Sequence, residues 1–182
     1  RQITNSKRPI LSPDDVKGLK IRTPPAMAYQ AAIEALGGNV QTIAFGELVM
    51  AMRQGVVDGQ ENPIGVIYDL KLYESQKYIT IVNYLYSSMT HVVSKKVFDS
   101  LTDDQRKIII EESDKSRLLM RELVRKQEQD QIADMKAKGI RIDSPDLSLF
   151  QAKMGPAYEK IRKNIGEENF DKWMEMAKAT AK

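Results

Sequence analysis

The sequence predicts an α/β fold: a βαβ sheet, parallel or mixed, flanked by helices and continued into one very long helix. Three observations predict it. Short β-branched stretches alternate with helical stretches between Gly18 and Asn62, an order that gives parallel strands joined by right-handed crossovers. From Thr102 a helical pattern then runs to Gly139 without a Gly or Pro, about 54 Å at 1.5 Å per residue. The composition is that of a folded domain: 182 residues, 42% of them hydrophobic and 29% charged, enough chain for one sizeable core or two small ones.

Each element has its own signal. Ser12-Pro13-Asp14-Asp15 sets a capping serine before a proline, with an acid three residues after the cap, so a short helix starts there and stops at Gly18. Residues 19–22, Leu-Lys-Ile-Arg, read as a strand. After Pro24 and Pro25, residues 26–36 are rich in helix formers and close on Gly37 and Gly38, with Tyr29, Ile33 and Leu36 on one face. Residues 39–45 read as a strand ending at Phe45, 46–54 as a helix ending at Gly55, and 56–59 as a short strand that breaks into a loop holding Asn62.

Residues 77–86, β-branched and aromatic, read as a long strand that 90–94 continue or follow. Thr102-Asp103-Asp104-Gln105 is a capping box that opens the long helix, 103–138. Its first half carries Ile108, Ile109, Ile110, Leu118, Leu119, Leu123 and Val124, whereas 125–131 are polar on every side, the pattern of a helix that bridges two bodies. Residues 139–142 supply a last strand and Ser144-Pro145 a helix start. Gly155-Pro156 and Gly166 divide the remaining chain, and a final amphipathic helix carries Phe170, Trp173 and Met176. No internal repeat or low-complexity segment is present.

Several function classes fall away. The net charge is +3 and no basic run is interleaved with aromatics, so a nucleic-acid partner is not expected. No apolar run reaches the roughly 20 residues of a membrane helix, so the chain is not expected to span a bilayer. There is no cysteine and one histidine, His91, which excludes disulfides and thiolate chemistry and argues against a metal centre or any other cofactor. His91 lies in an apolar run and reads as a strand residue; the nine methionines read as core filler. The first residues carry no signal peptide and resemble the middle of a domain.

The candidate site comes from topology. In open parallel sheets, ligands bind in the crevice beyond the carboxyl ends of the strands. Arg22, Phe45 and Asn62, delivered by three consecutive strands, would bring a cation, an aromatic face and a carboxamide to one rim. That set suits an organic acid: a guanidinium fork matches a carboxylate, the amide adds a second polar contact and the ring covers the carbon skeleton. Taken singly, each has a plainer role, as a surface charge, a core ring and a turn residue. Asp58 and Glu61 form a second possible site, two acids for acid-base catalysis on a small carboxylate, but no nucleophile, metal ligand or phosphate loop accompanies them. A third reading is an assembly module in which the long helix pairs with another chain; the polar stretch 125–131 interrupts the apolar seam that this requires.

The run from Arg1 to Pro24, RQITNSKRPILSPDDVKGLKIRTP, together with AFGELVMAMRQGVVDGQENP and YESQKY, resembles the solute-binding proteins of tripartite ATP-independent periplasmic (TRAP) transporters. The likeness is close over residues 1–78. It implies a periplasmic-binding-protein-like lobe of a two-lobed, non-enzymatic receptor. Such a receptor lies outside the cytoplasm, closes on a small organic acid and delivers it to membrane permease subunits. It also implies roles. Arg22 would pair with the ligand carboxylate, Arg1 would be a second basic contact, Phe45 the ring against the ligand, Asn62 a polar contact and Ala26 part of the cleft wall. Residues 1–87 and 128–182 would build the second lobe, and 88–127 would be a remnant of a first lobe otherwise missing from this sequence. Val49 and Arg53 depart from the family pattern, which often has Tyr and Gln there.

Overall fold

The computed structural model describes residues 1–180. Six short strands form one mixed sheet in the order β3-β2-β4-β1-β5-β6: β1 Gln2–Asn5, β2 Lys20–Thr23, β3 Asn39–Thr42, β4 Gly59–Asn62, β5 Tyr78–Thr80 and β6 Arg141–Asp143. The parallel pairs are β2 with β3, β2 with β4, and β5 with β6. Strand β1 is antiparallel to both β4 and β5. Five strands therefore end at the same rim, and the sixth begins there.

Side chains alternate across the sheet, and each face has its own core. On one face Ile3 and Ile21 pack with Val16, Leu19, the helix α1 (Met27–Ala35) and the helices α6 (Leu147–Gln151) and α7 (Gly155–Ile165) through Ile33, Phe150 and Ala157. On the other, Ile79 packs with α2 (Leu48–Arg53) and α3 (Ile64–Asp69) and with Met135 of the long helix α5 (Asp103–Ala137). A short helix α4 (Lys95–Asp99) precedes α5, and α8 (Glu167–Thr180) ends the described chain against α7. No helix among the described residues is long and apolar enough to cross a membrane.

The long helix spans 35 residues and starts on the expected capping box, Gln105 N donating to Thr102 Oγ1 and Thr102 N to Gln105 Oε1. Other elements differ from expectation for local reasons. The helix after Ser12 is a single 3-10 turn, Pro13–Val16, whose Asp15 carboxylate accepts from the Leu11 and Ser12 amides. The sheet is mixed because β1 runs against its neighbours. Residues 77–86 are not a long strand: β5 stops at Thr80, since its pairing with the start of β1 and the end of β6 runs out there and Asn83 turns the chain at φ 44°. Residues 90–94 form no strand. Helix α6 is capped by Asp146, not Ser144.

Candidate functional site

The rim is built around β4, whose residues Gly59, Gln60, Glu61 and Asn62 are all buried without one apolar side chain among them. Buried polar groups at a sheet centre require partners, and the register supplies them. Gly59 is required because it lies opposite Asn5, and a Cβ there would sit 2.1 Å from the Thr4 carbonyl oxygen. Gln60 stands between Arg22 on β2 and Thr4 on β1, and Asn62 stands opposite Gln2.

Arg22 is buried to 1% exposure. Its Nε donates to the Ile43 carbonyl at 2.8 Å, and among the described residues Nη1 and Nη2 have no hydrogen-bond partner. The Phe45 ring lies 5.9 Å from its guanidinium carbon and is 53% exposed. Burial pulls Arg22 below its ordinary arginine value; Glu61 offsets this and the neighbouring Arg1 adds to it. The site therefore holds a desolvated cation with two unpaired donor nitrogens, a geometry that suits a bidentate anion.

Arg1 is differently placed. Its Nε donates to Glu61 Oε2 at 2.5 Å, and its Nη2 to Glu61 Oε1, the Glu61 carbonyl and Asn62 Oδ1 at 3.0, 2.9 and 2.8 Å. Its Nη1 reaches Ser87 Oγ at 3.3 Å, and Tyr29 lies 5.0 Å below the guanidinium. Burial opposes its charge, but the bonds and charge of Glu61 carry Arg1 above the ordinary value. Glu61 Oε2 also accepts from Tyr84 at 2.6 Å. Burial and then the Glu61 charge push the Tyr84 hydroxyl well above its usual range, so it stays a donor at neutral pH.

The structure thus brings Arg22, Arg1, Phe45 and Asn62 to one rim, with Ala26 half-buried at the start of α1 just beyond β2. Two placements differ from the sequence reading. Phe45 does not end β3 but opens the 3-10 turn Phe45–Glu47, three residues past Thr42. Asn62 is the last residue of β4, not part of a loop. Asp58 and Glu61 do not share a space: Asp58 accepts from the Lys20 amide at 2.9 Å and pairs with Lys7, whereas Glu61 is enclosed by Arg1 and Tyr84. Sequence reasoning missed Gln60, Thr4, Tyr84 and Tyr29. The signal for Gln60 was the four-residue polar strand between the apolar Val57 and Ile64.

Residues 1–164 match the model of the bacterial extracellular solute-binding proteins, family 7. The chain belongs to that family. A sialic acid-binding periplasmic protein of Vibrio cholerae is 32% identical over 164 residues, 90% of this chain and 51% of its own length. A TRAP periplasmic solute-binding protein of a Polaromonas species, bound to D-erythronate, superposes with a TM-score of 0.87 at 33% identity, over 93% of this chain and 56% of its own. The sugar acid binding protein of Advenella mimigardefordensis, in complex with galactonate, gives 0.87 at 29% identity over 99% and 59%. This member of family 7 spans about half the length of the curated relatives it matches, and its mixed sheet and long helix are those of a TRAP binding-protein lobe.

Proposed function

We propose that the chain is the carboxylate-anchoring lobe of an extracytoplasmic receptor that captures a small organic acid and passes it to the membrane subunits of a TRAP transporter. The observation that carries this reading is Arg22, buried at the carboxyl ends of the strands with Nη1 and Nη2 unoccupied. Nε is tied to Ile43, so the carboxylate binds end-on across the two terminal nitrogens. Phe45 covers the carbon skeleton, Asn62 donates a further hydrogen bond, Ala26 walls the crevice and Arg1 borders it as a charge already balanced by Glu61. The relatives that bind D-erythronate, galactonate and sialic acid support a ligand with one carboxylate and several hydroxyls.

Residues 1–87 and 128–180 form this lobe, the last two residues of the expected span lying outside the described ones, and 88–127 belong to a first lobe that closes over it, with α5 as the connection. Closure expels water and strengthens the Arg22 pair. Catalysis by Asp58 and Glu61 is disfavoured because each is held by different partners.

Native mass spectrometry of the two-lobed protein as purified tests the reading. A co-purified acid, or binding of one member of a panel of D-erythronate, galactonate and sialic acid with the acid recovered unchanged after a day, is the expected result. Conversion of the acid, or binding of none of these or of C4-dicarboxylates, contradicts it.

A further inference from the structure

A chain of buried side chains crosses one face of the sheet, and both of its ends allow only one polarity. At the crevice, Arg1 Nη2 can only donate, and it meets Asn62 Oδ1 at 2.8 Å. Asn62 Nδ2 then donates to Gln60 Oε1 at 2.5 Å, Gln60 Nε2 to Thr4 Oγ1 at 3.0 Å, and Thr4 Oγ1 to Gln76 Oε1 at 3.0 Å. At the far end, Gln76 Nε2 donates to the Ser75 carbonyl at 3.1 Å, which can only accept. Thr4, Gln60, Gln76 and Asn62 are each 3% exposed or less, so water does not compete for these bonds.

Neither amide of β4 can turn over. A flipped Asn62 would set its NH2 against Arg1, and a flipped Gln60 would set its NH2 against that of Asn62. Thr4 is the one member that accepts and donates through a single atom, and the donor-only and acceptor-only ends force its hydroxyl toward Gln76. Chains of this kind strengthen one another in a low-dielectric interior.

We propose that Thr4 and Gln76 are positioning residues for Asn62. Through Gln60 they fix its amide so that Oδ1 is occupied by Arg1 and the Nδ2 hydrogen not taken by Gln60 is left as a donor for the crevice. This rests on the reading of Asn62 as a ligand contact. Its consequence is specificity. Arg22 Nη1, Arg22 Nη2 and Asn62 Nδ2 all donate, so both terminal atoms of the ligand's polar end must accept, as the two oxygens of a carboxylate do; a carboxamide presents a donor NH2 in place of one of them.

The test is nuclear magnetic resonance of the Asn62 side-chain amide in the ligand-free two-lobed protein. Thr4→Val keeps the volume and removes the hydroxyl, while Thr4→Ser keeps the hydroxyl. The expected result is that Thr4→Val shifts or broadens the Asn62 Nδ2 signals and speeds their hydrogen exchange at least tenfold, whereas Thr4→Ser leaves both as in the parent. Unchanged Asn62 signals in Thr4→Val, even with lower overall stability, overturn the proposal. If Thr4→Val does not fold, Gln76→Met breaks the chain at its far end and is read by the same two outcomes. No ligand is added, so failure here is distinct from failure of the ligand assignment.

Discussion

The sheet body and the arm formed by residues 83–134 are two kinds of protein in one chain. In the body both faces of the sheet are covered, and side chains from Ile3 to Phe170 reach near-zero exposure. Among residues 83–134 not one is buried, although Ile108, Ile110, Leu118, Leu119 and Met120 stand 56–61% exposed. The division runs through α5 itself. Its last turns are clamped by Met135 in the core, by Tyr68 donating to Asp134 at 2.8 Å and by Lys138 over the rings of Tyr68 and Tyr73. Its first turns rest on the Thr102 cap and on local pairs such as Arg106 with Asp103 and Arg117 with Asp114, each worth only about 0.3–0.5 kcal/mol. Helices of ordinary propensity owe most of their stability to packing of an apolar face, so the arm holds an apolar face that this chain does not cover.

Five substitutions break or sharpen that contrast. The largest effect belongs to Gly59→Ala at the sheet centre. A Cβ 2.1 Å from the Thr4 carbonyl displaces backbone, so the cost exceeds the roughly 1–3 kcal/mol usual for overpacking, and circular dichroism will show no cooperative melt. Next, Met135→Ala and Leu119→Ala compare the two halves of α5. The first removes a fully buried side chain and lowers stability by about 2–5 kcal/mol; the second stays within about 0.5 kcal/mol in this chain. In the two-lobed protein Leu119→Ala will rise toward the cost of a core deletion if a first lobe covers it, which denaturant titration of both proteins will measure.

Thr102→Ala removes a cap worth about 1 kcal/mol. Because no residue in the first turns of α5 is buried, hydrogen exchange will speed at the first turn of α5 while the melting temperature stays fixed. The smallest effect is that of pH on Asp15. Its burial raises the carboxyl slightly, but bonds from the Leu11 and Ser12 amides prevail and hold it below the usual 3.8. A depressed folded value means stability present above pH 3.8 and lost as pH falls through the folded value. Melts of Asp15→Asn will lack that acid-side loss.

Legibility followed the range of the interactions. The β2 strand, α1 and the capped start of α5 are written in neighbouring residues, and they stand where the sequence puts them. The strand at 77–86 was overread because its length is set by β1 and β6, which are distant in sequence; the one local warning was Asn83, a residue type that tolerates a left-handed turn. At the site, Arg22 and Phe45 were legible from strand order. The bonding of Arg1 to Glu61 was not, because it depends on β1 entering antiparallel beside β4, a register that no short motif announces.

Isothermal calorimetry of Arg22→Lys in the two-lobed protein, titrated with galactonate or whichever panel acid binds the parent, addresses the carboxylate anchor directly. Lysine keeps the charge but lacks the two-pronged fork, and breaking a desolvated pair costs about 3–5 kcal/mol. The expected result is an affinity at least about a hundredfold weaker in a variant that circular dichroism shows to be folded. Near-parental affinity in Arg22→Lys would contradict the account.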